Sequence, residues 1–334
     1  MERYAAITGW GMALPQRIIS NAELAQITDT SDEWIRTRTG IVERRVVASG
    51  ECTSTLAITA GRAALDRAAL DPDDIDLVVL ATCTPDRPFP ATSCAVQSAL
   101  GLRRAGAFDL GAACSGFVYG LSVASNMIRA GAHTNVLLVA ADIFTHFINW
   151  QDRNTSVLFG DGAGAVVLQA TSQPLGMLSA NLGSWGEGED LMAVDAGGTR
   201  MPATPELLAA GRQYVYMQGR EIFKHAVRGM AESSQTVIAD AGLTADDIRL
   251  VVPHQANLRI IDAVARRLEF DSERVFVNLE RYGNTSAASV PIAICEAVEQ
   301  ERIRSGDHVL LTSFGGGLTW ASAVLRWGRP ETER

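Results

Sequence analysis

The sequence repeats itself, and no other feature constrains the fold as tightly. Residues 70–79 read LDPDDIDLVV and residues 243–252 read LTADDIRLVV, seven of ten positions being identical at an offset of 173 residues. Val136-Leu137-Leu138 recurs as Val309-Leu310-Leu311 at the same offset. A constant offset held along so much chain marks two copies of one structural unit. Each copy shows the same succession. Helix-like stretches at 57–69 and 222–241 lead through an acidic turn into short apolar runs, Leu77-Val78-Val79-Leu80 and Leu250-Val251-Val252. Such runs suit strands buried on both faces of a sheet. Further strands are expected at 135–140 and 309–313. Each half then closes on a Gly-rich turn and a last strand, GDGAGAVVL at 160–168 and FGGGLTWASAVL at 314–325. Helices alternating with strands predict layered α/β packing. The expected division is 1–172 and 173–334, two pseudo-symmetric α/β halves, with 183–217 as a Gly- and Pro-rich cap or insertion between them. Long irregular segments of this kind often border binding sites. Ser20 to Glu23 and Thr30 to Glu33 both have capping-box spacing and should open helices.

Composition narrows the function classes. The chain has 334 residues, 47% hydrophobic and 20% charged, as expected of a globular enzyme. A formal net charge of −9 argues against non-specific nucleic-acid binding and makes any local basic cluster informative. No apolar run approaches the ~18 residues that span a bilayer, and no cationic leader precedes one, so the expected location is the cytoplasm. The five cysteines, Cys52, Cys83, Cys94, Cys114 and Cys295, are odd in number and form no Cys-x-x-Cys pair. That spacing suits neither a disulfide framework nor a zinc site, and most should be small core residues.

Cys114 is read differently. It stands in Asp109-Leu110-Gly111-Ala112-Ala113-Cys114-Ser115-Gly116-Phe117, where a strand-like approach ends in small residues and a helix begins. Phe117, Leu121, Ala124 and Ile128 continue at helical spacing. Free N–H groups and the dipole at such a junction should lower the thiol's pKa from about 8.5 and favour a nucleophilic thiolate. His254 follows the second buried strand, in the position where open α/β sheets place ligands. His133, His146, His225 and His308 lack that setting. Asn284, in Arg281-Tyr282-Gly283-Asn284-Thr285-Ser286, lies 170 residues after Cys114, close to the repeat offset. The two helix starts should therefore face one crevice, although Asn also serves readily as an N-cap.

Six segments carry a family resemblance: DTSDEWIRTRTGI (29–41), AACSGF (112–117), FGDGAGA (159–165), PHQANLRI (253–260), GNTSAAS (283–289) and FGGGLTW (314–320). In order and spacing they resemble the motif set of β-ketoacyl-[acyl carrier protein] synthase III. The resemblance implies a duplicated thiolase-like fold in an αβαβα arrangement, a homodimer, and no cofactor, since acyl-coenzyme A is a substrate. It implies Cys114, His254 and Asn284 as a catalytic triad, with the Cys114 and Gly316 backbone N–H groups as an oxyanion hole. The reaction implied is decarboxylative condensation of a primer acyl-coenzyme A with malonyl-acyl carrier protein, through an acyl-Cys intermediate. Thr30, Trp34, Arg38, Arg153, Gly219 and Asn257 would bind coenzyme A, Trp34 and Arg153 sandwiching its adenine. Phe89 and Leu158 would bound the acyl pocket, Phe89 by crossing into the partner subunit. Gln255, Ala256, Asn257, Leu258, Arg259, Lys224, Arg266 and Arg267 would receive the acidic carrier protein. Arg220 departs from a pattern in which some members carry Asn near the pantetheine arm. Three rivals compete: a synthase of secondary metabolism with the same triad, a papain-like hydrolase with Cys, His and Asn in the same order, and a non-catalytic subunit of this fold.

Overall fold

The computed structural model describes residues 2–330; Met1 and 331–334, the outer ends of the two expected halves, lie outside the described residues. Nine strands form one mixed sheet: β1 (Tyr4–Ala13), β2 (Leu77–Ala81), β3 (Gly106–Leu110), β4 (Asn135–Ile143), β5 (Asp161–Thr171), β6 (Gly176–Ser184), β7 (Ile248–Pro253), β8 (His308–Gly315) and β9 (Thr319–Arg326). Their order is β7-β8-β9-β6-β1-β5-β4-β2-β3. The seam lies between β6 and β1, which pair in parallel at a single point, Ala5 with Gly176. Outward from that seam one side runs β1-β5-β4-β2 and the other β6-β9-β8-β7, with matching senses. The inner neighbours are antiparallel and the outermost shared pair, β4 with β2 or β8 with β7, is parallel. β3 extends the first side alone.

Six helices position the site: α1 (Asp32–Thr39), α2 (Thr53–Ala68), α3 (Gly116–Arg129), α4 (Gly219–Asp240), α5 (Leu258–Arg267) and α6 (Ser289–Glu299). α2 covers β1, β5 and β4 from outside, and α4 covers β9, β8 and β6. Between the two half-sheets lie α3, which touches strands of both sides, and α6. The result is a five-layered αβαβα molecule. Its central layer explains the sequence of α6, SVPIAICEAVE, whose residues 289–297 are all buried. A helix that is apolar all round needs cover all round, and the half-sheets supply it.

The repeat is carried through to local geometry. α3 starts at Gly116 and α6 at Ser289, again 289 − 116 = 173. The short 3₁₀ turns Pro72–Asp74 and Ala245–Asp247 keep the same offset, as do Ala113–Ser115 and Ser286–Ala288.

Several local expectations change. GDGAGA at 160–165 is not a turn: β5 begins at Asp161 and runs through it. The glycines are there because α6 lies against the strand, and a Cβ at Gly164 would sit 2.7 Å from ring carbons of Pro291. α2 and α4 start several residues earlier than apolar periodicity suggests, because their first turns are polar or small. Ser31, not Thr30, caps α1, accepting from the Trp34 N–H at 3.1 Å. The segment 183–217 begins inside β6 and then folds as a 3₁₀ turn, Gly186–Leu191, a helix, Pro205–Ala209, and a two-residue pairing of Met192–Ala193 with Tyr216–Met217. Cys83 and Cys94 reach the surface of the chain; Cys114 and Cys295 are buried. No described helix is long and apolar enough to cross a membrane.

Candidate active site

Cys114 lies in the 3₁₀ turn Ala113–Ser115, between β3 and the start of α3, and is buried. The turn is forced: Ala113 takes φ +45°, and its repeat mate Ser286 takes φ +53°. For residues with a Cβ that conformation costs about 1–2 kcal/mol, so two matched instances at facing helix starts mark a site held under strain. The backbone of 314–317 closes over the cysteine. A Cβ on Gly315 would stand 2.6 Å from the Cys114 nitrogen, so Gly315 is the residue that permits this approach. Gly316 has ordinary clearance, its nearest neighbour being Met192 O at 3.5 Å from a built Cβ.

His254 follows β7 directly and stays on the ladder through its N–H to Thr312 O, 2.8 Å. Its Nδ1 lies 2.6 Å from Ser289 Oγ, in the first turn of α6. The same oxygen accepts from the Gln255 N–H at 3.3 Å. With the hydroxyl donating to Nδ1, the imidazole carries its proton on Nε2. Burial depresses the His254 pKa to about 3, so the ring is neutral at physiological pH.

Asn284 is fixed on both sides by backbone: its N–H donates to Leu158 O at 2.8 Å and its C=O accepts from Gly160 N at 3.0 Å. Its Oδ1 accepts from the Ser286 N–H at 2.9 Å. This is an Asx turn and not the expected N-cap, since Thr285 flanks the 3₁₀ turn and Ala288 flanks α6. With Oδ1 occupied, the amide group is what the side chain can offer a ligand.

Cys114, His254, Asn284 and Gly316 line one cavity of about 630 Å³. Burial pushes the Cys114 thiol up to about 12, with the Ser286 hydroxyl and its own backbone N–H acting in the opposite direction. This corrects the expected depression: the helix start is present, but it is enclosed, and loss of water outweighs the dipole. In this setting the Cys114 sulfur is a thiol at physiological pH.

The mouth of the cavity is basic and aromatic. Arg153 and Arg38 sit 5.2 Å and 5.5 Å from the centroid of the Trp34 ring. Arg153 also lies 3.6 Å from the Asp29 carboxylate. Arg259 lies over Phe223 at 5.9 Å. Asn257 caps α5 and donates Nδ2 to Arg38 O at 3.1 Å, tying the two mouth helices together. Leu158, Gly219, Arg220, Lys224 and Ala256 line the cavity as well. Thr30, Phe89, Leu258, Arg266 and Arg267 do not. Phe89 is 86% exposed. Leu258 packs its side chain into the space above Gly40, and Arg267 pairs with Glu232 at 3.5 Å. Gln255 corrects the expected carrier-protein surface: it is buried, with its amide spent on Pro253 O and Phe276 O and its Oε1 on the Asn278 N–H. Met192, Met217, Phe223 and Leu318 are lining residues that sequence reasoning missed. The cap supplies the two methionines, which no periodicity could have placed.

Comparison with known proteins shows the family. Residues 108–186 match the family model described as 3-oxoacyl-[acyl-carrier-protein (ACP)] synthase III, and 238–327 match the model of its C-terminal part. The β-ketoacyl-[acyl-carrier-protein] synthase III of Roseiflexus sp. (strain RS-1) is 73% identical over 327 residues, covering 98% of this chain and 99% of that protein. This chain belongs to the β-ketoacyl-[acyl-carrier-protein] synthase III family. It is accordingly an acyltransferase of the condensing type, with the thiolase-like fold. The crystal structure of the Thermus thermophilus β-ketoacyl-[acyl carrier protein] synthase III superposes with a TM-score of 0.90 at 48% identity, covering 97% of this chain and 99% of that one. The priming β-ketosynthase of the R1128 polyketide biosynthetic pathway superposes with a TM-score of 0.91 at 36% identity, covering 99% and 98%.

Proposed function

We propose that the protein starts fatty acid synthesis by condensing a primer acyl-coenzyme A with malonyl-acyl carrier protein. The observation that carries the assignment of roles is the cavity itself, where one thiol meets two neutral hydrogen-bond donors. Cys114 attacks the primer thioester, coenzyme A leaves, and the acyl group stays on Sγ. A thioester keeps that group activated for attack by carbon, which suits Cys better than Ser. The Cys114 and Gly316 backbone N–H groups receive the oxyanion of this transfer. Malonyl-acyl carrier protein then enters and loses carbon dioxide, placing negative charge on its thioester oxygen. His254 Nε2–H and the Asn284 amide stabilise that enolate, and neither has to give up a proton to do so. The enolate carbon attacks the acyl group, and 3-oxoacyl-acyl carrier protein leaves.

At the mouth, the adenine would stack against Trp34. The guanidinium of Arg153 occupies that stacking position in the free protein, so it has to swing away from Asp29 and close again over the base. Thr30 and Arg38 flank the slot, with Gly219 and Asn257 along the arm. Arg259, Lys224, Arg266 and Arg267 form the basic side of a docking surface that would steer an acidic carrier protein against a background of −9. Phe89, exposed on a single chain, suits an interface of a homodimer in which it closes the partner's acyl pocket beside Leu158. The cycle draws on no resident cofactor, and a soluble setting in the cytoplasm fits its substrates.

A priming role in polyketide synthesis is the second reading, favoured by the likeness to the R1128 priming synthase. A pool of acetyl-, branched and longer acyl-coenzyme A, followed by mass spectrometry of the Cys114 peptide, tests the assignment. Acyl groups on Cys114 that are discharged by malonyl-acyl carrier protein as 3-oxoacyl product are expected. Hydrolysis of the acyl-enzyme with no condensation product would overturn it.

A further inference from the structure

Beneath the nucleophile lies a residue that the triad does not include. Ser286 is fully buried, and its Oγ donates to Cys114 Sγ at 3.5 Å. We propose that Ser286 is a fourth catalytic residue, its hydroxyl stabilising the Cys114 thiolate both as it forms and as it is released by condensation.

Three observations support this. First, the hydroxyl is aimed by the same turn that aims Asn284, since the Ser286 N–H is held by Asn284 Oδ1 at 2.9 Å. The strained φ of +53° is what turns the side chain back under the opposite helix start. Second, the chief competing acceptor, the Asp142 carboxylate, also draws on the Ser286 hydroxyl but is well supplied without it. The buried Asp142 carboxylate, at the end of β4, already accepts at Oδ1 from Thr82 Oγ1, Cys83 N, Thr84 N and Thr84 Oγ1, and at Oδ2 from Ala287 N. Cys83, on the loop after β2, reaches Ser286 Oγ at a longer 3.8 Å. Third, the Ser286 hydroxyl and the backbone N–H of Cys114 itself are the groups that favour the ionised sulfur. His254 enters from the end of β7 as a neutral ring, Asp142 is an anion, and burial disfavours the ionised sulfur. A hydroxyl donor to an ionised acceptor is the kind of hydrogen bond that can offset part of this penalty.

The chemistry balances without a proton leaving Ser286. In acylation the Cys114 Sγ–C bond forms as the C–S bond to coenzyme A breaks, and coenzyme A leaves with the proton lost by Cys114. In condensation the new C–C bond forms as the Sγ–C bond breaks. Its electron pair returns to Sγ, where the Ser286 O–H meets it until the sulfur is reprotonated from water.

Alkylation of Cys114 by iodoacetamide across pH 6 to 11, read by mass spectrometry of its peptide, tests the proposal without any substrate. A negative result therefore leaves the acyl-transfer assignment standing. Ser286→Ala removes the hydroxyl. Ser286→Gly removes it while accepting the positive φ, and so serves if the alanine variant fails to fold. The expected result in each is alkylation slowed about ten- to hundredfold at every pH from 6 to 11, a range that lies below the thiol's midpoint, with the thermal unfolding midpoint and the circular dichroism spectrum of the parent retained. Alkylation at the parental rate, or slowing that comes only with a lost spectrum showing that the turn itself has moved, would overturn the proposal.

Discussion

At the scale of single residues the site is defined by protonation states that burial imposes. His254 could have been a cation, but enclosure behind Ser289 leaves it a neutral ring. This has a consequence for stability. A histidine depressed from 6.5 to about 3 contributes stability that is fully present above pH 6.5 and is lost as pH falls toward 3. Replacing it by glutamine, which cannot titrate, should remove roughly 3 kcal/mol of the parent's acid destabilisation between pH 7 and pH 4. Urea unfolding at the two pH values measures this directly, and equal losses in parent and His254→Gln would show that the ring is already charged in the fold. That Cys114, His254 and Asn284 share one cavity was legible in the sequence, because each sits where a buried strand or a glycine-rich turn ends. Two things were not. The direction of the Cys114 pKa depended on how completely the site is enclosed, and the burial of Gln255 depended on the neighbouring segment at 276–278. Both are set by chain far away in sequence.

At the scale of elements, the repeat announced which segments would be strands and helices, and the 3₁₀ turns keep its offset to the residue. What it did not announce was the role of GDGAGA. A Gly-rich run reads locally as a turn, yet here its small residues let α6 press against β5, and this helix carries Ser289 and begins just after Ser286. Gly164→Ala should therefore destabilise by about 1–3 kcal/mol through overpacking against Pro291. Gly198→Ala, with nothing within 4 Å of its built Cβ, should stay within about 0.5 kcal/mol. Denaturant midpoints of the two variants give the comparison, and similar values would mean that α6 is not tightly seated. The cap at 183–217 was recognised as irregular and as a neighbour of the site, but its Met192 and Met217 contacts follow from a two-residue strand pairing too short for any sequence signal.

At the scale of the whole molecule, duplication is what creates the cavity. Each half brings one strained turn and one buried central helix to the seam, so Cys114 from one copy faces Asn284 from the other. His254 arrives from the strand end that mirrors β2. Only one copy keeps the thiol: the repeat mate of Cys114 is Ala287, and the mate of Asn284 is Gly111. On the proposed mechanism the two halves divide nucleophile and enolate stabiliser between them. Separating these two duties experimentally is the most direct test of the account, and Asn284→Ala does so. The account predicts that the variant still forms the acyl-enzyme on Cys114 with acyl-coenzyme A, slowed by no more than about tenfold through loss of the Oδ1 contact to the Ser286 N–H. Its decarboxylative condensation with malonyl-acyl carrier protein should fall by ~10²–10³-fold, as expected for loss of one preorganised donor. Condensation at the parental rate, or loss of acylation together with condensation, would contradict it.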